Sequence, residues 1–313
     1  MKGLTGFLSV AALTAVTLAS GGVKAATQEV NGVVWTYSVN GGSAIVGGGL
    51  GGAAVPASTA GVVAIPSFLG GFPVTGIGSR AFARCSNITT ICMPTLAKVE
   101  SIGASAFEGC TSLGTISFPK EIKSFGTRVF AGCQSLESIK LTAYSGEVLP
   151  NGMFEGCTNL RNVFLPAGVT DIASRAFYGC SALEWVDLSS SSTVSIGASA
   201  FEKCTSLTSV KFGNDLRSIG YGAFFECSGL QTVELPPNVE SVGALAFAGC
   251  RTLSRFVASE ELPLDEASVF MRSTEGLVIE RYPVSTVIFD LQDGSNRTIT
   301  RYARIGEPIG PLP

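Results

Sequence analysis

Eight copies of Phe-x-x-Cys at nearly constant spacing constrain this chain more than any other feature. They fall at Phe82/Cys85, Phe107/Cys110, Phe130/Cys133, Phe154/Cys157, Phe177/Cys180, Phe201/Cys204, Phe224/Cys227 and Phe247/Cys250. Successive phenylalanines are 25, 23, 24, 23, 24, 23 and 23 residues apart. Five residues before each Phe stands an aliphatic or aromatic side chain (Ile77, Ile102, Phe125, Leu149, Ile172, Ile196, Ile219, Val242), usually followed by Gly. Three residues after each Cys comes Ile88 or one of Leu113, Leu136, Leu160, Leu183, Leu207, Leu230 and Leu253, and apolar residues recur three and five positions further on.

A unit of this size cannot close a core around its own few apolar side chains, so it must stack on copies of itself. The stretch around Ile116 and Phe118 alternates as a strand does, and Ala-Phe-x-x-Cys with its neighbouring Gly fits one tight helical or 3₁₀ turn. Each coil therefore reads as a strand, a bend often marked by Pro, a second extended piece ending in Ile-Gly, and a short turn. With parallel strands ~4.8 Å apart, eight coils give a rod on the order of 40 Å long.

The pattern L-x-x-[IV]-x-[LF]-P followed by I-G-x-x-A-F-x-x-C resembles the BspA-like leucine-rich repeat of bacterial surface and secreted proteins, across residues 76–258. The resemblance implies a right-handed parallel solenoid with a binding or adhesive role and no enzymatic activity. Residues 26–75 lack the repeat, but "VVWTYSV" alternates as a strand and "VVAIP" (62–66) matches half a coil. They read as an N-terminal β cap over an edge that would otherwise expose apolar side chains. The glycine run "VGGGLGGAA" lacks the Lys-Ser/Thr ending of a phosphate-binding loop and reads as a plain loop. At the other end Phe270 falls 23 residues after Phe247 while Ser273 replaces the Cys, so 259–283 reads as a degenerate capping coil in which the ladder fades. Residues 284–313 resemble the opening half of a Listeria-Bacteroides repeat, a partial β module or linker.

Residues 1–25 combine Lys2, an apolar run from Leu4 to Leu18 and the small-x-small site Val23-Lys24-Ala25, the features of a secretory signal peptide. The expected product is secreted or displayed on the cell surface, with no membrane span after cleavage. The net charge of −3, without a concentrated basic face, argues against nucleic acid as a partner. The chain has no His, which removes His-based catalytic triads and His-ligated metals. No cofactor or metal is expected.

Nine cysteines in an exported protein ordinarily suggest disulfides. Eight of them share one repeat column between Phe and Leu, so they read instead as buried thiols, small apolar fillers of the core; neighbouring coils lie within bridging distance, but side chains in register seldom meet the dihedral requirement. A zinc site fits least, because the ligands form a row. Cys92 stands apart at an outward position of its strand, either as an exposed thiol able to couple chains or as one covered by the N-terminal segment.

Stacking turns outward residues into columns. One reads Thr90, Thr115, Ser138, Asn162, Trp185, Ser209, Thr232, Arg255; the other reads Cys92, Ser117, Lys140, Phe164, Asp187, Lys211, Glu234, Val257. Phe164 and Trp185 stand out on adjacent coils, ringed by Lys140, Asn162, Asp187 and Lys211, with the composition of an interface centre and its rim. The competing reading is that the two aromatics pair across strands only to stabilise the sheet. Asp187 and Glu234 lie two coils apart, ~9.6 Å, which suits an inverting carbohydrate-cleaving pair. On an open face, with nothing to raise one pKa, they are surface charges. The sequence thus points to a non-enzymatic, monomeric scaffold that binds proteins or glycans of host, matrix or neighbouring cells. A structural spacer in a larger surface protein is the alternative, and a carbohydrate-active enzyme comes third.

Overall fold

A computed structural model describes residues 25–48, 52–93, 98–119, 121–290 and 298–304, with backbone alone for 285–290 and 298–304. The signal-peptide reading of residues 1–25, apart from Ala25 itself, and most of the tail beyond Asp290 lie outside the described residues. What is described is a parallel β-solenoid with two strand ladders and a row of turns.

Six strands open the chain: β1 (Ala25–Val30), β2 (Val33–Asn40), β3 (Ser43–Val46), β4 (Gly61–Ala64), β5 (Phe68–Leu69) and β6 (Phe72–Ile77). β1 to β3 form an antiparallel meander, and β3 then pairs in parallel with β6. β6 pairs with the Ser101–Ile102 strand of the next coil, so the opening sheet runs directly into the second ladder of the solenoid. The sequence-based division at 75/76 falls within β6. β4, the "VVAIP" half coil, pairs with β7 (Ile88–Cys92).

Inside, the repeat columns become stacks. All eight motif phenylalanines are buried, as are the Ile or Leu residues that follow the cysteines. Neighbouring rings lie 5.0–5.6 Å apart and within 16° of parallel, from Phe82 to Phe247. Coil spacing of ~4.8 Å imposes that distance, and sliding the rings sideways turns it into the favoured offset stack. Trp35 closes the stack edge-on against Phe82 at 6.1 Å. Phe270 continues it beyond Phe247 at 6.1 Å, with Phe256 edge-on to both.

The Ala-Phe-x-x-Cys segment differs from the helical turn expected of it. Hydrogen bonds do run from alternate residues to the third one before, as from Cys180 N–H to the Phe177 carbonyl at 3.1 Å. In every coil, however, the residues two before and two after the Phe have positive φ, as at Arg175 (59°) and Gly179 (71°). A left-handed residue at each side prevents the chain from winding onward. It also turns backbone groups along the rod: Phe177 N–H donates to the Ala200 carbonyl of the next coil at 2.8 Å. True helix is confined, among the described residues, to α1 (Glu266–Val269), capped by Asp265.

The Ile-Gly pair has a steric cause. A Cβ at Gly197 would stand 2.7 Å from Ser174 N, and one at Gly220 the same distance from Ala198 N, both in the preceding coil. Where coils press backbone on backbone this closely, glycine is favoured, although Pro150 and Ala173 hold the same place in two coils.

Both strand ladders are interrupted near the third coil. The outer one divides into β4–β7–(115–117), (138–140)–(162–164) and (185–187)–(209–211)–(232–234)–(255–259)–(278–282). Tyr144 occupies the bend of this coil, buried against Phe125 at 4.9 Å, with its hydroxyl donating to the Val148 carbonyl at 2.6 Å. At the C-terminal end a ninth coil follows, with Val278–Tyr282 as its strand, and Ser273 takes the place of the motif cysteine in it. Residues 284–290 and 298–304 form a separate two-stranded antiparallel hairpin.

Candidate binding face

The cysteine column lies wholly inside. All nine cysteines are free thiols, and the eight motif cysteines are buried. Seven of these donate through Sγ to the Phe carbonyl of the preceding coil, as Cys110 does to Phe82 at 3.0 Å and Cys204 to Phe177 at 3.2 Å. The column is buried and unbridged, and its thiols donate hydrogen bonds besides filling space, as Cys227 does. Its enclosed thiol donates to the Phe201 carbonyl at 3.0 Å, and its nearness to Cys204 adds to the burial that raises the Cys204 pKa. Cys204 and Cys227 are thus neighbours in the column, yet both stay unbridged. A buried polar hydrogen costs free energy unless it finds an acceptor, and the Phe carbonyl one coil back is the acceptor within reach.

Burial pushes Cys110 and Cys157 up to about 12. These thiols are protonated and inert, since nucleophilic and metal-binding cysteine is the thiolate. Cys92 is half-buried on the outer strand face, opposite Ala64 of β4, so the N-terminal segment does flank it. Among the described residues no three or more of Cys, Asp and Glu gather as a metal-holding group.

The row of turns carries a charged track. Arg128 bridges Glu108 at 2.9 Å and Glu155; Arg175 binds Glu155 at 2.7 Å and lies 3.9 Å over the Tyr178 ring, which Lys203 approaches from the next coil. Burial acts to raise the Glu108 pKa, but hydrogen bonds from Ser105 and Arg128 outweigh it and hold the carboxyl below its ordinary value. Oppositely charged side chains here pair with one another along the rod.

The strand face is less self-satisfied. Phe164 and Trp185 project from adjacent coils and each is 42% exposed. They do not pair as rings: Phe164 takes the ammonium of Lys140 over its face at 5.9 Å, and the strands carrying the two aromatics belong to different sheet segments. The predicted ring of polar residues is also divided. Lys140 borders a hollow with Ser117, Phe118 and Ser138, whereas Asp187 and Lys211 join Trp185 in a separate groove of about 570 Å³. Asn162 is half-buried beside Phe164 in the strand and lines neither.

Counting along the strands missed several walls of that groove. It is also lined by Asn214, by Pro236 and Pro237 in a bend, and by Tyr282, whose hydroxyl donates to the Leu235 carbonyl at 2.8 Å across 47 residues. The prolines and Asn214 carried a local bend signal; nothing in the sequence placed Tyr282 there. The outward column is corrected at one position, because Val257 is 2% exposed. The strand from Val278 to Tyr282 pairs alongside it and the Tyr282 side chain crosses to Leu235, so the end coil covers the site that repeat counting left open.

Asp187 has the electrostatics of a fixed carboxylate. The hydroxyl and N–H of Ser189 hold it below its ordinary value against a small opposing effect of burial, and Lys211 lies 3.9 Å away. A general acid requires the opposite shift.

Stacked parallel coils with a leucine column, a phenylalanine column and one open strand face define a leucine-rich-repeat solenoid. Six copies of the BspA type leucine rich repeat region match residues 75–194 and 177–277, roughly two thirds of the chain. The chain belongs to that family. It is similar to the leucine-rich repeat protein of T. pallidum at 25% identity and TM-score 0.48, covering 70% of this chain and 87% of that one. It is also similar to a leucine rich cell surface protein of Faecalibacterium prausnitzii, at 20% identity and TM-score 0.38 over 84% and 96% of the two chains. The pneumococcal vaccine antigen PcpA resembles it at 18% identity and TM-score 0.36, over 84% and 89%. No curated protein matches the chain. No helix among the described residues is long and apolar enough to cross a membrane.

Proposed function

We propose that this chain is a non-catalytic recognition scaffold, exported to the cell surface or medium, which holds protein partners of host, matrix or neighbouring cells on its strand face as a monomer. The observation that carries the reading is the pair Phe164 and Trp185, two large aromatics 42% exposed on consecutive coils and stacked on neither each other nor the core. Exposed aromatics bordered by charged and amide side chains are what alanine scans find at interface centres. Lys140 lies over Phe164, and Asp187 and Lys211 line the groove beside Trp185, so each aromatic has its own charged border. The N-terminal sequence supports export, and the buried thiols and ionised Asp187 are consistent with a surface that performs no bond chemistry.

Purified full-length protein is passed over immobilised matrix proteins in parallel with the Phe164→Ala, Trp185→Ala double variant. The expected result is binding of at least one protein by the parent and its loss in a double variant that melts at the parent temperature. Equal binding by both would remove the face from the reading, and absence of binding throughout would favour the spacer role.

A further inference from the structure

The groove beside Trp185 has a composition of its own. Along its floor the outward column steps from Trp185 to Ser209 to Thr232, so a large ring is followed by two small hydroxyl residues over two coil spacings, ~10 Å. The indole and the two hydroxyls line the groove together with Pro236, Pro237 and Tyr282. In the parallel column Asp187, Lys211 and Glu234 alternate in sign, and at the C-terminal edge Arg255, which follows Thr232 in the first column, faces Glu280 of the last strand. Asp187 lies 3.9 Å from Lys211, and Arg255 makes two 2.7 Å hydrogen bonds to Glu280 while Glu234 also attracts it. Each charge thus has an opposite neighbour on the protein itself.

That arrangement selects against an ionic ligand, which would have to compete with the internal partners of the charge it seeks. It suits a neutral ligand with many hydroxyl groups. Carboxylates accept and the ammonium donates charge-assisted hydrogen bonds without any loss of the local balance. The indole presents a flat, electron-rich face to C–H bonds carrying slight positive charge. One chemical class combines an apolar C–H face with a rim of neutral hydroxyls, namely a pyranose sugar.

We propose that this groove binds a linear neutral hexose chain, one ring stacked on Trp185 and the next lying over Ser209 and Thr232, with hydroxyls bonded to Asp187, Lys211 and Glu234. This extends the reading of the strand face as a recognition surface and rests on it, while committing the Trp185 end to carbohydrate.

The chain supplies its own reporter. Of its two tryptophans, Trp35 is 1% exposed in the cap and Trp185 is 42% exposed in the groove, so acrylamide quenching reads Trp185 almost alone. The full chain is titrated with maltohexaose, cellohexaose and mannohexaose, and separately with hexa-arginine. Expected is saturable protection from quenching by at least one hexasaccharide and none by hexa-arginine. By calorimetry, Trp185→Ala should weaken sugar binding about tenfold or more, as loss of a central aromatic anchor does, while Trp185→Phe retains most of it. Protection by hexa-arginine alone, or by none of the sugars, overturns the proposal. If the sugars fail while the Phe164→Ala, Trp185→Ala variant still loses its matrix proteins, the carbohydrate groove falls and the recognition face stands.

Discussion

Ser273 donates its hydroxyl to the Phe247 carbonyl at 2.8 Å, the same bond that Cys250 makes through sulfur to Phe224 one coil earlier. The letter changes at the ninth coil, but the interaction does not. A carbonyl has two lone pairs, and each such Phe oxygen accepts both from the Cys N–H of its own coil and from the side chain of the next. Ser273→Cys should therefore change stability little, whereas Ser273→Ala should cost ~0.5 to 1.5 kcal/mol. Urea melts of the two variants would measure the difference; an equal loss in both would mean that the bond is incidental.

The buried thiols predict a steep alkaline limit. Burial raises the pKa of seven motif cysteines above the ordinary 9.0 and lifts Cys110 and Cys157 to about 12. Below pH 9 the folded and unfolded chains both hold these protons, so stability does not respond. Above it the unfolded chain releases protons that the folded chain keeps, and each thiol removes up to ~1.4 kcal/mol per pH unit. Seven acting together should unfold the protein early in the window between pH 9 and 12, and circular dichroism across that range would locate the transition. A flat signal to pH 11 would contradict burial of the column.

Access to thiols separates Cys92 from the rest. Its side chain is half-buried at the outer strand face, while the other eight cysteines are enclosed. Ellman's reagent should titrate one thiol in the native protein and all nine in guanidinium. Nine fast thiols without denaturant would place the column in solvent.

The Phe, Cys and Leu columns were legible because stacked coils bury the same position at every turn, and a period of some 23 residues survives changes elsewhere. What the cysteines do there was legible only in part. Spacing placed Cys227 inside, but the bond of its thiol to the Phe201 carbonyl depends on how one coil sits over the last, which no single repeat records. The outward columns could be counted for a related reason, since a strand alternates its faces. The turn was harder to read. Its left-handed positions hold Gly179 and Gly249 in some coils but Lys203, Glu226 and Leu245 in others, so glycine marks the conformation only intermittently. Features made by the ends could not be counted at all. Val257 was read as outward because the repeat makes that position outward, yet the final strand covers it, and Tyr282 reaches the groove from two coils away. Ser273 is a polar letter in the column, and only the packed coils show that its hydroxyl preserves the bond.

The central claim is that stability resides in the enclosed ladder while the outer face is free for recognition, and paired thermal and urea melts of Phe177→Ala and Trp185→Ala test it most directly. Phe177 is 1% exposed and stacked on both neighbours at 5.3 and 5.0 Å, so its truncation should cost ~3 to 5 kcal/mol. Trp185→Ala, on the open face, should cost ~0.5 kcal/mol or less. Losses of similar size at the two positions would contradict the division between a ladder that holds and a face that binds.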